Sequence, residues 1–444
     1  MMPMSWKQLL NAERLGSSPR HAEQARSPFH KDHDRIIFSA AFRRLNRKTQ
    51  VHPFAQNDHV HTRLTHSLEV ACVGRTLGQL VGEYLSDQLP ASISSSDIGA
   101  IIQSACLAHD IGNPPFGHAG EFAIRDWFLQ PTRHELLSGM TTEQAHDLCN
   151  FEGNAQGLRL LTQTEHHPFQ GGMRLTYATL GAFIKYPWTG RGVTLTTTMP
   201  KFGCYQAEAA LMETIAQHLG LLSQGQQRWC RHPLAYLMEA ADDICYALID
   251  LEDGIEMDIL PYEQVEPLFL NLLGDQTPPP ELREASSTTA HKIAALRGAA
   301  FNVLVQAVAQ AFTHNQIELL NGTLQGNLLD HCDRHLGAGI EAAKTMARHR
   351  IFNNPRKAQI ELGAYATLGL LLDAFIEASL AGLNGKTLSF RHRRLLDLLQ
   401  SQVVQPADSV YGCCLRALDF VGSLSDHHAM DLARSLAGHV HHQS

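Results

Sequence analysis

The stretch "CLAHDIGNPPFGHAGEFA", Cys106–Ala123, decides how this chain is read. It sets His109 beside Asp110, turns through Gly112, Pro114 and Pro115, and then supplies His118 and Glu121. Upstream, "SDIGAIIQSACLAHD" carries Ile98, Ile101, Ile102, Ala105 and Ala108 at helical spacing, with Ser96 or Asp97 as the expected cap. The prolines separate that helix from a second one beginning near His118. Two His/carboxylate pairs around one turn are either parts of one site or ordinary polar groups at a helix junction. The rest of the chain decides between them.

Composition bounds the answer. At 444 residues the chain is too long for one small core, and two helical lobes or one large elaborated domain are expected. Hydrophobic residues at 44% and charged residues at 18% describe an ordinary globular protein. The formal charge of −8 argues against a dedicated DNA-coating protein while leaving room for a local basic patch. Nine cysteines without a CxxC pair, two of them adjacent at Cys413 and Cys414, resemble neither a zinc knuckle nor a disulfide framework. The odd count fits a reducing cytoplasm. The N-terminal "MMPMSWKQLLNAERLG" lacks an apolar segment of signal-peptide length, and we find no window of about 18 apolar residues. The chain therefore reads as cytosolic, with no membrane partner.

The periodicity is mainly α. "PLAYLMEAADDICYALIDLEDG" puts Leu234, Leu237, Met238, Ala241, Cys245 and Leu248 on one face, with Pro233 near its start and Gly254 expected just beyond its end. Further helices are expected at "THSLEVACVGRTLGQLVGEYL", "IAALRGAAFNVLVQAVAQAF" and "AYATLGLLLDAFIEASLAG". "GVTLTTTM" is a candidate for a small β-hairpin. Breaks fall at "LGDQTPPPELREASSTT" and less clearly at "QPTRHELLSGMTTEQ". This divides the chain into an N-terminal segment, 1–58, a chemistry-bearing core, 59–255, and a C-terminal helical region, 256–444.

Two other segments join the opening one. In "HTRLTHSLEVA", Thr65 is the expected cap of a helix whose first turn carries His66, with Arg63 just ahead. Downstream, Asp242, Tyr246 and Asp250 recur every four residues and stack along one stripe beside the apolar face of Ala241 and Cys245. A carboxylate bordering a buried face is costly unless a cation or donors meet it. Asp243 competes for that role, and the stripe favours Asp242. His66, His109, Asp110 and Asp242 make two imidazoles and two carboxylates. Such a set suits Mn²⁺, Mg²⁺, Co²⁺ or Fe²⁺, with Zn²⁺ also admissible, and the lack of thiolates argues against a structural zinc. Four protein ligands on an ion preferring six leave places for water and a substrate oxygen. Taken singly, each residue has an ordinary alternative: a packing histidine at a helix start, or a solvated polar edge.

The H…HD…D order, His66, His109–Asp110 and Asp242, resembles the HD-domain metal-dependent phosphohydrolases. "HDRIIFSAAFRRLNRKTQV", "TRLTHSLEVA", "AHDIGNPPFGHAGE", "NFEGNAQ" and "MEAADDICYALIDLEDG" together resemble the bacterial deoxyguanosine triphosphate triphosphohydrolase family. "SWKQLLNAERLG" and "DFVGSLSDHHAMDLA" extend the likeness to nearly the whole chain. The resemblance implies a helical HD-domain core with an additional C-terminal lobe. It also implies hydrolysis of a deoxynucleoside triphosphate to deoxynucleoside and intact triphosphate. The four HD residues would hold one divalent ion per subunit near the α-phosphate. His118 and Glu121 match the family's catalytic pair; residues three apart at a helix start can meet, so Glu121 can orient His118. Whether His118 handles the attacking water or the leaving oxygen stays open. For substrate contacts the resemblance implies Arg63 at the phosphates, Gln50 at the sugar–base end, and Asn154, Lys185 and Tyr186 in the pocket. It also implies Tyr246 beside C2′ and Asp250 accepting from the 3′-hydroxyl. The chain departs from the family at Asn113, where His is common, and at His61, where Arg is frequent.

A triphosphate carries about four negative charges, so an acidic chain needs local compensation. A helix through "FRRLNRKTQ" with Phe38, Ala41, Phe42 and Leu45 inward would display Arg43, Arg44, Arg47 and Lys48 together. That face is solvated, meets a nucleotide at a subunit interface, or contacts single-stranded DNA. The resemblance implies a homo-oligomer, commonly a hexamer, with nucleotide or single-stranded DNA effectors. Two alternatives remain in view. One is another HD phosphohydrolase, a nucleotidase or phosphodiesterase, which "NPPFGHAGE" and the Tyr246/Asp250 stripe argue against. The other is a non-catalytic nucleotide- or DNA-binding sensor, which the complete ligand set with His118 and Glu121 argues against.

Overall fold

The structure, a computed structural model, describes residues 2–16, 26–50, 61–164, 172–192, 200–352, 355–383, 385, 387–399 and 408–439. Among these residues it is an assembly of twenty α-helices with a single two-stranded antiparallel sheet, Ser223–Gly225 with Arg228–Trp229. The β-rich stretch at 192–199 lies, beyond Gly192, outside the described residues.

Two helices carry the centre. Arg63–Tyr84 is capped by Thr62, whose hydroxyl accepts the Thr65 amide while Thr65 Oγ1 accepts the Thr62 amide. The helix thus starts ahead of the expected cap, and Thr65 is the returning half of a capping box. Ser95–Ala108 repeats the device: Ser94 caps it and Asp97 closes the box, so neither Ser96 nor Asp97 is the cap. The two helices run antiparallel in close contact. A Cβ at Gly78 would lie 2.8 Å from Gly99 Cα, a clash with backbone that cannot give way. Across both lies Pro233–Glu256, whose Leu234, Leu237, Met238, Ala241, Cys245 and Leu248 are all buried. Gly254 sits inside its last turn rather than beyond it, pressed against Leu260 and Ile351.

The apolar core forms two clusters. The first gathers these three helices with Tyr177–Phe183, Tyr262–Leu273, Thr289–His314 and Arg334–Ala347. The second gathers Gly117–Leu129 and Thr142–Cys149 with Pro355–Leu383, Val410–Ser423 and Asp426–Leu436. The chain after Glu256 therefore contributes to both. Ile111 belongs to the first cluster and Phe116 to the second, so the opening Pro-rich turn is the seam between them.

Other expectations resolve plainly. The 273–289 break is a connection with one tight turn, Pro280–Leu282, between Tyr262–Leu273 and Thr289–His314. The 130–144 segment is not an open linker; it winds into Pro131–Arg133 and His134–Ser138. Two helical stretches, Thr289–His314 and Ala358–Leu383, are long and apolar enough to cross a membrane by length and composition, at mean hydropathy 1.3 and 1.6. That differs from the sequence count because a few charges interrupt each run; both pack against the clusters described above. In the basic segment Ala41, Phe42 and Leu45 point inward as expected, but Phe38 is 73% exposed. Lys48 leaves the basic face altogether: it is buried, and burial with Arg44 nearby lowers its amine to about 7.

Candidate active site

A cavity of about 520 Å³ opens at the seam. His66 reaches it from the first turn of Arg63–Tyr84, His109 from the C-terminal end of Ser95–Ala108, and Asp242 from the middle of Pro233–Glu256. Their three ligand atoms lie within 4.8 Å of one another. Asp242 Oδ1 is 3.1 Å from His66 Nε2 and 3.5 Å from His109 Nε2. His109 Nδ1 is 2.6 Å from the Cys106 carbonyl, which can only accept, so Nδ1 carries the proton and the Nε2 lone pair faces the cluster. Burial would raise the Asp242 carboxyl, but His109, the bond to His66 and nearby Lys185 outweigh it and hold the group far below the usual carboxylate range. Asp243 turns away to Lys344 at 2.8 Å, which settles the Asp242/Asp243 ambiguity.

Asp110 is not part of this three-atom group. Its Oδ2 accepts from Arg63 Nη1 at 2.6 Å and its Oδ1 from Asn113 Nδ2 at 2.5 Å, with Oδ1 3.6 Å from His109 Nε2. Against burial, Arg63 and the two imidazoles keep its carboxyl down at about 2. Two imidazole nitrogens and one carboxylate, with a second carboxylate alongside and no thiol among them, fit a hard or borderline divalent ion.

The Pro-rich turn delivers the second pair. Phe116 and Gly117 both adopt left-handed backbone, φ 65° and 58°, and His118 follows in the first turn of Gly117–Leu129. His118 Nδ1 lies 2.9 Å from Glu121 Oε2, and Glu121 Oε1 accepts the Gly153 amide at 2.8 Å. Glu121 is buried, whereas the His118 side chain is 75% exposed, so the carboxylate is an anchor and the imidazole is free to meet a ligand. Burial works to raise the Glu121 carboxyl; His118, Lys201 and Arg125 overcome it and keep the pKa below its usual value.

Gln50, Arg63, Asn154, Lys185, Tyr186 and Tyr246 all line the same cavity. Gln50 Oε1 and Arg63 Nε are buried there with no hydrogen-bond partner among the described residues. Asn154 Nδ2 donates to Glu152 Oε1 at 2.7 Å, and Lys185 Nζ is 3.2 Å from Glu239. Tyr246 stacks on Phe352 at 5.8 Å and 12°; burial and Asp250 push its phenol up. Asp250 is the exception: it is buried one turn beyond Tyr246 and does not line the cavity. Of the two departures, Asn113 lines the cavity and holds Asp110. His61 does not lose the positive charge expected of Arg. Burial opposes protonation, but Asp253 at 2.6 Å and Glu69 at 3.1 Å raise its pKa to about 10, making it a cationic clamp between Arg63–Tyr84 and Pro233–Glu256.

Several lining residues were invisible to spacing. Glu152 and Lys201 are paired at 2.9 Å, and Phe352, Ile360 and Glu361 arrive from the far C-terminal third. "NFEGNAQ" contained Glu152, but nothing local marks it as buried; "MPKFG" gave no signal for Lys201.

Residues 63–180 match the HD domain family, which spans the helix of His66, the His109–Asp110 pair and the His118 turn. Fold and site thus define a helical hydrolase of the HD superfamily. A deoxyguanosinetriphosphate triphosphohydrolase-like protein of Pseudomonas aeruginosa is 53% identical over 98% of this chain and 99% of its own length. One of Synechocystis sp. is 38% identical over 98% and 99%. A deoxyguanosinetriphosphate triphosphohydrolase of Cronobacter sakazakii is 35% identical over 78% of this chain and 76% of its own. The chain belongs to the deoxyguanosinetriphosphate triphosphohydrolase (dGTPase) family.

Proposed function

We propose that this chain hydrolyses deoxynucleoside triphosphates, dGTP foremost, to the deoxynucleoside and intact inorganic triphosphate. The observation that carries this reading is a convergence on one cavity: the His66–His109–Asp242 group, the His118–Glu121 pair, and the cations Arg63, Lys185 and Lys201. Its volume of about 520 Å³ lies in the range of small-ligand pockets, roughly 300–1,000 Å³. The relatives' names point to the same substrate.

His66, His109 and Asp242 would hold the ion, with Asp110 beside them as fourth donor. A divalent ion, Mn²⁺, Mg²⁺ or Co²⁺ foremost, supplies electrophilic polarisation of a phosphoryl oxygen. The protein's own groups do the rest. Glu121 accepts from His118 Nδ1, which leaves the Nε2 lone pair to take a proton from the water attacking the α-phosphorus. The bond from that phosphorus to O5′ breaks, triphosphate leaves with the water's oxygen, and a proton passes to O5′. Arg63 and Lys185 neutralise phosphate oxygens, Gln50 and Asn154 meet the sugar end, and Tyr186 and Tyr246 wall the nucleoside. Asp250, buried one turn beyond Tyr246 and outside the cavity lining, would accept from the 3′-hydroxyl only after its side chain turned toward the sugar.

The test is a panel of the four dNTPs with Mn²⁺, Mg²⁺ and Co²⁺, with products resolved by chromatography. Equimolar nucleoside and triphosphate, fastest from dGTP, is expected. Orthophosphate or monophosphate would assign the cavity to another HD chemistry, and tight nucleotide binding without turnover would make the chain a sensor. A homo-oligomer, hexameric by family likeness and answering to a nucleotide or single-stranded DNA, belongs to the same proposal. Light scattering with and without oligonucleotide tests it, and an unresponsive monomer would remove it.

A further inference from the structure

We infer that Lys48 and Asp426 are a positioning pair that makes the C-terminal helices part of the catalytic turn. The inference rests on the proposed reaction for its kinetic consequences, but its structural basis stands alone. Asp426 opens the helix Asp426–Leu436 and is buried. Its Oδ1 accepts the Phe116 amide at 2.9 Å and its Oδ2 the Thr49 amide at 3.0 Å. Lys48, buried next to Thr49, donates from Nζ to the Asn113 carbonyl at 2.5 Å and to the Gly422 carbonyl at 2.7 Å. The Lys48 carbonyl in turn accepts the Arg63 amide at 3.0 Å, at the first residue of the helix that carries His66.

These few bonds tie both ends of the turn to residues more than 300 positions away. Phe116 is a non-glycine residue in left-handed backbone, a conformation that β-carbon sterics disfavour and that the surroundings must hold. The Asp426 carboxylate is what meets its amide. Asn113, held through its carbonyl, is also the residue whose side chain fixes Asp110. His118 stands two residues past Phe116, so the direction of its imidazole is inherited from this turn. Neither Lys48 nor Asp426 lines the cavity. They act through Asn113 and Phe116, as positioning residues.

Such a role predicts a loss of turnover without a loss of binding. Asp426→Ala removes both acceptors, Asp426→Asn keeps one, Lys48→Met removes both donors, and Lys48→Arg keeps N–H donors at the same place. Steady-state kinetics with dGTP and Mn²⁺, together with amide exchange by mass spectrometry, read the two consequences separately. Asp426→Ala and Lys48→Met are expected to lower kcat about 10–100-fold with KM within about threefold, as misplacement of a reacting group does. The conservative variants should fall between these and wild type. Exchange should rise across 113–118 while the helices of His66 and Asp242 keep their protection. Wild-type kcat, or a raised KM at unchanged kcat, in folded Asp426→Asn and Lys48→Arg as well as the severe variants would overturn the inference. So would unchanged exchange at 113–118. If wild type itself turns over no dNTP, the proposed function fails, and the exchange arm still decides the strut.

Discussion

Glu121 holds His118 with one carboxylate oxygen and the Gly153 amide with the other, at 2.9 and 2.8 Å. One buried carboxylate therefore fixes the tautomer of an exposed imidazole and docks the helix Gly153–Arg159 beneath it. The two jobs separate under mutation. His118→Ala should lower kcat by at least about 100-fold, the usual scale of lost acid–base catalysis, with an unchanged melting temperature. Glu121→Ala should lower both, since it also orphans the Gly153 amide at a cost of about 1–3 kcal/mol. Kinetics paired with thermal melts check this; a wild-type rate in His118→Ala would show the role misassigned.

Tyr246 is held flat against Phe352 on the cavity wall. With the nucleoside seated as proposed, this ring would stand beside C2′ and leave no room for a ribose hydroxyl. Tyr246→Ala should therefore raise the ratio of GTP to dGTP turnover by about tenfold or more, on the scale of steric pocket discrimination. An unchanged ratio in competition assays would remove Tyr246 from sugar selection.

Asp147, which does not line the cavity, provides a separate pH signature. Burial raises its pKa to about 7, with Glu208 and Glu143 adding to the shift, against hydrogen bonds from the Tyr411 hydroxyl and the Gln206 amide, each at 2.6 Å. Between its ordinary value and about 7, the folded state holds a proton that the unfolded state has released. Stability from this group therefore falls as pH rises through that window and is flat above it. In Asp147→Asn the slope should vanish. The melting-temperature difference, variant minus wild type, should grow from pH 4 to 7 and then level off. A difference independent of pH would contradict the assignment.

Arg159 is gripped by Asp419 through two bonds of 2.8 Å and by Glu208 at 2.5 Å, with both carboxylates buried. This joins Gly153–Arg159 to Val410–Ser423 across the second core cluster. Removing one partner strands a buried charge. Asp419→Ala should cost about 3–5 kcal/mol in denaturant unfolding. A loss below about 1 kcal/mol, the range of surface pairs, would show the network to be solvated.

Much of this molecule was legible in its sequence, for identifiable reasons. Burial repeats at helical spacing, so Ile98 to Ala108 and Leu234 to Leu248 announced their faces. The His118/Glu121 contact was legible because it spans one helical turn. The caps at Thr62 and Ser94 were missed by a few residues because each box has two polar members, and spacing does not say which is the cap. Long-range partners left no local trace. Lys48 sits in a visibly basic run, and only the distant carbonyls of Asn113 and Gly422 explain why it alone turns inward. Asp250 followed the Asp242 stripe in sequence, but the cavity ends before it does. The orientation of Asp110 toward Arg63 and Asn113 was equally out of reach of spacing.

The most direct test is a Mn²⁺ titration of chelator-stripped protein, following dGTP consumption and both products. The stripped protein should turn over no dGTP. Equimolar deoxyguanosine and triphosphate should return as about one ion per chain binds, and Asp242→Asn should lose both uptake and activity. Turnover that survives stripping, or full activity in Asp242→Asn, would contradict metal-dependent hydrolysis at this site.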